Sequence, residues 1–141
     1  MHDSNITVGP YQPNDEAMVV ALWQQAFPNE PPANEPRGMI ARKLRVQPEL
    51  FLVAREAGAV VGALMAGFDG VRGWLHHLAV LPSARRRGIA GALVRAAESK
   101  LQGLGCPKVN LQVRADNSAV VAFYESLGYA TEERLSLGRR L

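Results

Sequence analysis

The chain has 141 residues, 48% hydrophobic and 21% charged, and a formal net charge of +3. That length suits one domain over 1–141 with a sizeable core, and the modest charge suits an anionic small ligand rather than a nucleic acid. One cysteine, Cys106, excludes an internal disulfide; three histidines (His2, His76, His77) argue against a structural zinc site, and no metal is expected. The start, Met1-His2-Asp3-Ser4-Asn5, has neither a basic nor an apolar stretch, and no apolar run is long enough for a membrane span. A cytoplasmic protein without a signal peptide is the expectation.

Residues 6–8 are a short strand candidate ended by Gly9-Pro10. Asn14 or Asp15 can cap a helix to about Phe27, with Met18, Leu22 and Ala26, and beside them Val19, Trp23 and Phe27, at helical spacing. Pro28 ends it, and 28–35 is a proline-rich loop with two acids, Glu30 and Glu35, which either face solvent or attract a cation. Pro36 suits the first turn of a second helix, which carries Met39, Ile40 and Leu44 among Arg37, Arg42, Lys43 and Arg45.

The period then changes. Phe51-Leu52-Val53-Ala54 reads as a strand, Ala57-Gly58 as a turn and 60–68 as a second strand. Asp69-Gly70 is a tight-turn signal, with Asp69 the turn residue, and 74–80 is the third strand of a meander. A helix over 89–104 follows, with Ile89, Leu93, Ala97, Leu101 and Leu104 on one face and Gly103 and Gly105 to stop it. Cys106, in Gly105-Cys106-Pro107, sits where a loop enters the strand 109–113 and reads as structural. Asn117 is a plausible N-cap for a helix over 118–127, ended by Gly128; 129–131 and 135–137 are short strand candidates. No internal repeat or linker appears.

Between the strand 74–80 and the helix 89–104 lies Arg85-Arg86-Arg87-Gly88-Ile89-Ala90. A helix start carries partial positive charge and unpaired N–H groups, so three cations there make sense if an anion such as a phosphate sits among them. Gly88 and Ala90 let a ligand approach the backbone. Strand, helix and following strand form one βαβ unit, so the loop lies at the carboxyl end of its first strand, where α/β folds bind ligands. Neither a P-loop nor a Rossmann fingerprint is present.

Arg85-x-x-Gly88-x-Ala90 instead resembles the Q/R-x-x-G-x-G/A motif of the GNAT superfamily, the GCN5-related N-acetyltransferases. Leu78-Ala79-Val80-Leu81-Pro82 resembles that family's entry to the motif. Asn117-Ser118-Ala119-Val120-Val121-Ala122-Phe123-Tyr124-Glu125-Ser126-Leu127-Gly128-Tyr129 is similar to its N-x-x-A-x-x-x-Y-x-x-x-G-F/Y segment, with Val120 where Ala is common. Within the superfamily, Gly67-Phe68-Asp69-Gly70-Val71-Arg72-Gly73 and Gly105-Cys106-Pro107-Lys108 resemble the small bacterial YpeA-type acetyltransferases.

The resemblance implies an α/β (α+β) GNAT fold: a mixed, mostly antiparallel sheet of about six or seven strands, one parallel βαβ unit and about four helices. It implies an acetyl-CoA-dependent N-acetyltransferase acting on a primary amine of a small molecule or protein, as monomer or homodimer, without nucleic acid or membrane partners. Acetyl-CoA would lie in a split between the strands 74–80 and 109–113. Main-chain groups of Leu78, Ala79 and Val80 would pair with the pantetheine arm. Backbone N–H groups of Arg86, Arg87, Gly88, Ile89, Ala90 and Gly91 would hold the pyrophosphate, and Asn117 the arm. Tyr124, by itself a helix aromatic of the core, becomes with these the acid that protonates the departing thiolate.

The base is a departure. RimI-like members carry a Glu where this chain has Gln112, and an amide does not take a proton at neutral pH. His76, His77 and a water chain are the alternatives; in a regular strand the two histidines face opposite ways, so one alone would reach the cleft. Trp74 either lines the pocket or fills the core. The missing Glu also leaves open a non-catalytic acetyl-CoA-binding or sensing module. The ending, 135–141, is either an edge strand pairing with another subunit or an edge guarded by Arg139 and Arg140.

Overall fold

The computed structural model describes residues 5–141, so nearly all of the N-terminal stretch read for a leader lies outside the described residues. The elements follow the order β1 (Ile6–Pro10), α1 (Glu16–Ala26), α2 (Pro36–Lys43), β2 (Phe51–Glu56), β3 (Ala59–Phe68), β4 (Gly73–Val80), α3 (Ile89–Gly103), β5 (Val109–Leu111) and α4 (Ser118–Ser126). The five strands form one sheet in chain order. Every pairing is antiparallel except β4 with β5, which the α3 crossover makes parallel. No described helix is long and apolar enough to cross a membrane.

Alternation along β2 sends successive side chains to two separate cores. Leu52 and Ala54 join Leu64, Leu75 and the α3 residues Ile89, Leu93, Val94, Ala97 and Leu101 on one face. Phe51 and Val53 join Val19, Val20, Leu22 and Trp23 of α1 and Met39 and Ile40 of α2 on the other. There Phe51 is stacked between Tyr11 and Trp23, with ring centroids 4.4 and 5.6 Å away. α3 rides close on the sheet because Gly62 has no side chain: a Cβ there would sit 3.1 Å from Leu93 and 3.3 Å from Ile89. Gly73, where β4 meets β5, is equally confined, since its Cβ would lie 2.9 Å from the Cys106 sulfur. Cys106 is thus part of the packing at the root of the β4–β5 pair.

Several expectations change. Asp15 does not cap α1. It closes the turn before it, accepting from the Gln12 N–H at 2.8 Å and pairing with Arg55, which explains how a carboxylate can be buried there. Leu104 falls past the end of α3 and is exposed. The strand candidates 129–131 and 135–137 are not strands: none follows β5 among the described residues, so the sheet has five strands rather than six or seven. An alternating apolar pattern needs a sheet edge to pair with, and β5 offers only three residues. Leu135 and Leu137 are more than nine-tenths exposed. The C-terminal segment is tied to β5 by side chains instead, with Lys108 and Asn110 on the Glu132 carboxylate and Gln112 Nε2 donating to Ser136 Oγ at 2.7 Å.

Candidate active site

β4 and β5 pair only from Gly73 with Val109 to Leu75 with Leu111. β4 continues to Val80, so beyond Leu75 the two strands part and His76 to Val80 has no strand partner on that side. Backbone N–H and C=O groups left at such an edge are available to an extended ligand. Leu78, Ala79 and Val80 lie along this opening.

A bulge sits at its mouth. In the pairing with β3, Ala63 faces Ala79 but Met65 faces His76, so His77 and Leu78 oppose the single residue Leu64. His77 takes up the difference with φ of 56°, in the left-handed region. Its carbonyl accepts from Trp23 Nε1 at 3.0 Å. The extra residue puts both histidines on the α1–α2 face, where both line one cavity, against the expected one-in, one-out alternation.

The two rings differ in setting. His77 is wedged edge-on against Trp23 and Phe27, and its Nε2 lies 2.8 Å from Glu30 Oε1. His76 opens onto the cavity, yet has enough protein around it for desolvation, followed by the proximity of His77 and Lys43, to hold its pKa below the usual 6.5. The cavity is an open hollow of about 520 Å³ between α2, the end of β3 and the start of β4. Trp74 lines it rather than filling the core, and donates from Nε1 to Asp69 Oδ2 at 3.2 Å. Asp69 is the turn residue expected: Oδ1 accepts from the Val71 and Arg72 N–H groups, both at 2.8 Å, and these bonds lower its pKa. β3 outruns β2 here, and α2 with its following turn closes the exposed backbone. Lys43 Nζ donates to the Ala66 carbonyl, while Gln47 accepts from the Phe68 N–H at 2.8 Å and donates to its carbonyl at 3.0 Å.

After β4 a single turn (Pro82–Ala84) leads to the arginine loop. Arg86 and Gly88 both have left-handed backbone, φ 63° and 76°. At Gly88 a Cβ would meet nothing within 4 Å, so this glycine is needed for its φ rather than for room inside the protein. α3 then starts with no side-chain cap and no acid in its first turn. Its leading N–H groups are a prepared anion seat. The three arginines divide. Arg87 spans both oxygens of Glu56 on β2, whereas Arg85 and Arg86 are exposed and make no ion pair among the described residues.

Asn117 Oδ1 caps α4 by accepting from the Val120 N–H at 3.3 Å. About two turns on, Tyr124 is 7% exposed and lies edge-on to Phe123 and Tyr129. Burial pushes its pKa up to about 12. No described group hydrogen-bonds its hydroxyl, although Tyr129 beside it donates to Glu98 Oε2 at 2.7 Å. Gln112 is exposed and tied to Ser136.

A split strand pair followed by an uncapped, cation-flanked helix start is the arrangement the resemblance implied. The model of the acetyltransferase (GNAT) family matches residues 16–129. The chain belongs to the GNAT acetyltransferase family.

This acetyltransferase is 47% identical over 131 residues to a Yersinia enterocolitica acetyltransferase, covering 93% of this chain and 92% of that one. It is 45% identical to one from Pectobacterium atrosepticum at the same coverage. Among solved structures it superimposes on Ard1 from Thermoplasma volcanium with a TM-score of 0.81 and 27% identity, over 89% of this chain and 83% of the other. An aminoglycoside N-acetyltransferase in complex with CoA gives a TM-score of 0.79 over 99% and 97% of the chains, and at 20% identity it speaks for the fold alone. No group of three metal-binding side chains occurs among the described residues.

The loop acids of the GNAT enzyme have internal duties. Glu30 holds His77 and accepts from Asn34 Nδ2 at 3.2 Å, and Glu35 caps α2 through the Arg37 and Gly38 N–H groups at 2.8 and 3.1 Å. Neither stands ready as a simple amine trap. Sequence reasoning missed the bulge, the Arg87–Glu56 pair and the closure of the β3 end by Lys43 and Gln47. Each joins residues remote in sequence, and only the polar residues on an otherwise short helix hinted at the last.

Proposed function

We propose that this protein, as one domain over 1–141, transfers the acetyl group of acetyl-CoA to a primary amine. The parting of β4 from β5 after Leu75, directly before the uncapped start of α3, carries the proposal. Leu78, Ala79 and Val80 would take the pantetheine arm by main-chain pairing, with Asn117 against it from the α4 side. The N–H groups of Arg86, Arg87, Gly88, Ile89, Ala90 and Gly91 would hold the pyrophosphate, and Arg85 and Arg86 would add charge. The Arg87 guanidinium is committed to Glu56, so its share is the backbone.

Chemically, a neutral amine attacks the thioester carbon, a C–N bond forms and the C–S bond breaks. Backbone N–H groups near the bulge offer to stabilise the oxyanion. Tyr124 stays protonated at neutral pH because its pKa is about 12, so its hydroxyl serves as donor to the sulfur. A free thiol has a pKa of about 8.5, but the desolvation that raises the phenol would raise a thiol in the same place, easing the transfer. His76 is the acceptor for the amine proton: its lowered pKa keeps the ring neutral and ready near pH 7.

Thermal-shift titration with acetyl-CoA against ADP tests the site. Ligand at about a hundredfold above Kd adds about 2.7 kcal/mol, a midpoint shift of several degrees. A shift with acetyl-CoA no larger than with ADP removes the cofactor assignment. Tyr124→Phe should lower kcat by about a hundredfold or more with little change in acetyl-CoA affinity; unchanged kcat in single turnovers removes Tyr124 from the chemistry. The kcat/KM profile should contain one enzyme titration below pH 6.5 that is lost in His76→Gln, while the substrate amine's own titration at higher pH stays. Tight acetyl-CoA binding without transfer to any amine would favour the sensing module.

A further inference from the structure

We propose that the cavity between α2, the end of β3 and the start of β4 accepts a small primary amine that also carries an anionic group, the anion resting on Lys43 and the amine turned toward His76. This names the acceptor class of the acetyltransferase site and rests on that reading.

The observation is an unmatched charge. Where partly buried arginines occur elsewhere in the molecule they face carboxylates, Arg55 with Asp15 and Arg87 with Glu56. Lys43 is also partly buried, and it lines the cavity, but its one partner is the neutral carbonyl of Ala66. It makes no ion pair among the described residues. Burial pushes its pKa down, with the Glu49 carboxylate acting the other way. A cation withdrawn from water without a counter-charge is costly, and an ammonium has three donors of which the carbonyl takes one. Arg42 adds a second cation to the cavity lining; it donates to the Ala33 carbonyl at 2.7 Å and likewise pairs with no carboxylate among the described residues.

The nearby acids do not pair with Lys43. Asp69, the acid in the cavity lining, is held by two backbone N–H groups and the Trp74 indole; Glu30, beside His77, is held by that ring and Asn34; and Glu49, which acts on Lys43 electrostatically, is exposed and forms no ion pair with it. A ligand carboxylate or phosphate on Lys43 would supply the missing charge. A second end of the same ligand then falls toward His76, which lines the same cavity. Met39, Met65 and Trp74 give the space between an apolar wall suited to a methylene spacer. A volume of about 520 Å³ accommodates a molecule of that size.

The test uses matched acceptors: β-alanine against ethylamine, and ethanolamine phosphate against ethanolamine, each with acetyl-CoA. In at least one pair the anionic member should have a kcat/KM about tenfold or more above its neutral partner, the worth of one charge-assisted hydrogen bond. Which pair shows it tells carboxylate from phosphate. Lys43→Gln should bring that ratio toward one, and Lys43→Arg should keep most of it. Because Lys43 also closes the β3 end, the ratio within each variant is the readout, and an overall loss of activity does not affect it. Equal use of both members of both pairs by the unaltered enzyme overturns the proposal, as does a ratio that survives Lys43→Gln. Either result leaves acetyl transfer standing. Absence of transfer to every amine, together with no acetyl-CoA-dependent thermal shift, would overturn the underlying function instead.

Discussion

Two helices of this molecule begin in opposite ways. α2 carries its own anion: the Glu35 carboxylate accepts from the first free N–H groups and sits on the positive end of the helix dipole. α3 is longer, starts from a glycine in the left-handed region, and has neither a capping side chain nor an acid in its first turn. The two exposed cations just before it add to its positive potential. The closed start is satisfied by the chain itself, whereas the open one leaves N–H groups that the proposed pyrophosphate would fill.

Placing an acid at the open start should erase the difference. Gly88→Asp keeps a residue that tolerates left-handed backbone and supplies the missing carboxylate. Acetyl-CoA affinity should fall by about tenfold or more, while the left-handed backbone at 88 offsets the gain from the new cap and leaves the melting midpoint the same or somewhat lower. Calorimetry beside a thermal melt reads both quantities, and unchanged affinity would end the claim that the α3 start binds the pyrophosphate. Opening the closed start is the converse. Glu35→Ala should lower stability by about 1 kcal/mol in urea unfolding and leave acetyl-CoA affinity alone. A matching loss of affinity would mean that the two helix starts are coupled. The smallest effect is expected at Arg87. Its pair with Glu56 is about a third exposed, so Arg87→Gln should cost at most about 1 kcal/mol and change cofactor affinity less than Arg85→Gln does. The reverse order would give the Arg87 side chain a direct role in holding the phosphates.

Much of this was legible in the sequence because it is local. Asp69-Gly70 and Gly128 mark the turns where they stand, Asn117 is the cap its position suggested, and the apolar spacing from Ile89 to Leu101 marks the buried face of α3. What stayed hidden depends on partners far along the chain. Glu35 looks like any loop acid until the helix behind it is placed. Arg87 cannot be told from Arg85 and Arg86 until β2 brings Glu56 alongside. Leu135 and Leu137 alternate as strand residues do, but alternation says nothing about whether an edge is there to receive them. The bulge at His77 escapes periodicity altogether, since a pattern of two cannot announce its own interruption.

That bulge has a consequence for how β4 tolerates change in length. With His77 and Leu78 facing one residue of β3, the strand is one residue longer than its neighbour requires, and its two halves are read in different phases. Loss of a single residue between 76 and 78 would bring them into phase and leave a regular strand with its ladder complete. The fold would survive the deletion, while one histidine would leave the cavity and the mouth of the split would straighten. The extra residue therefore shapes the cleft rather than the sheet, and a variant shortened here should keep the architecture while losing that shape.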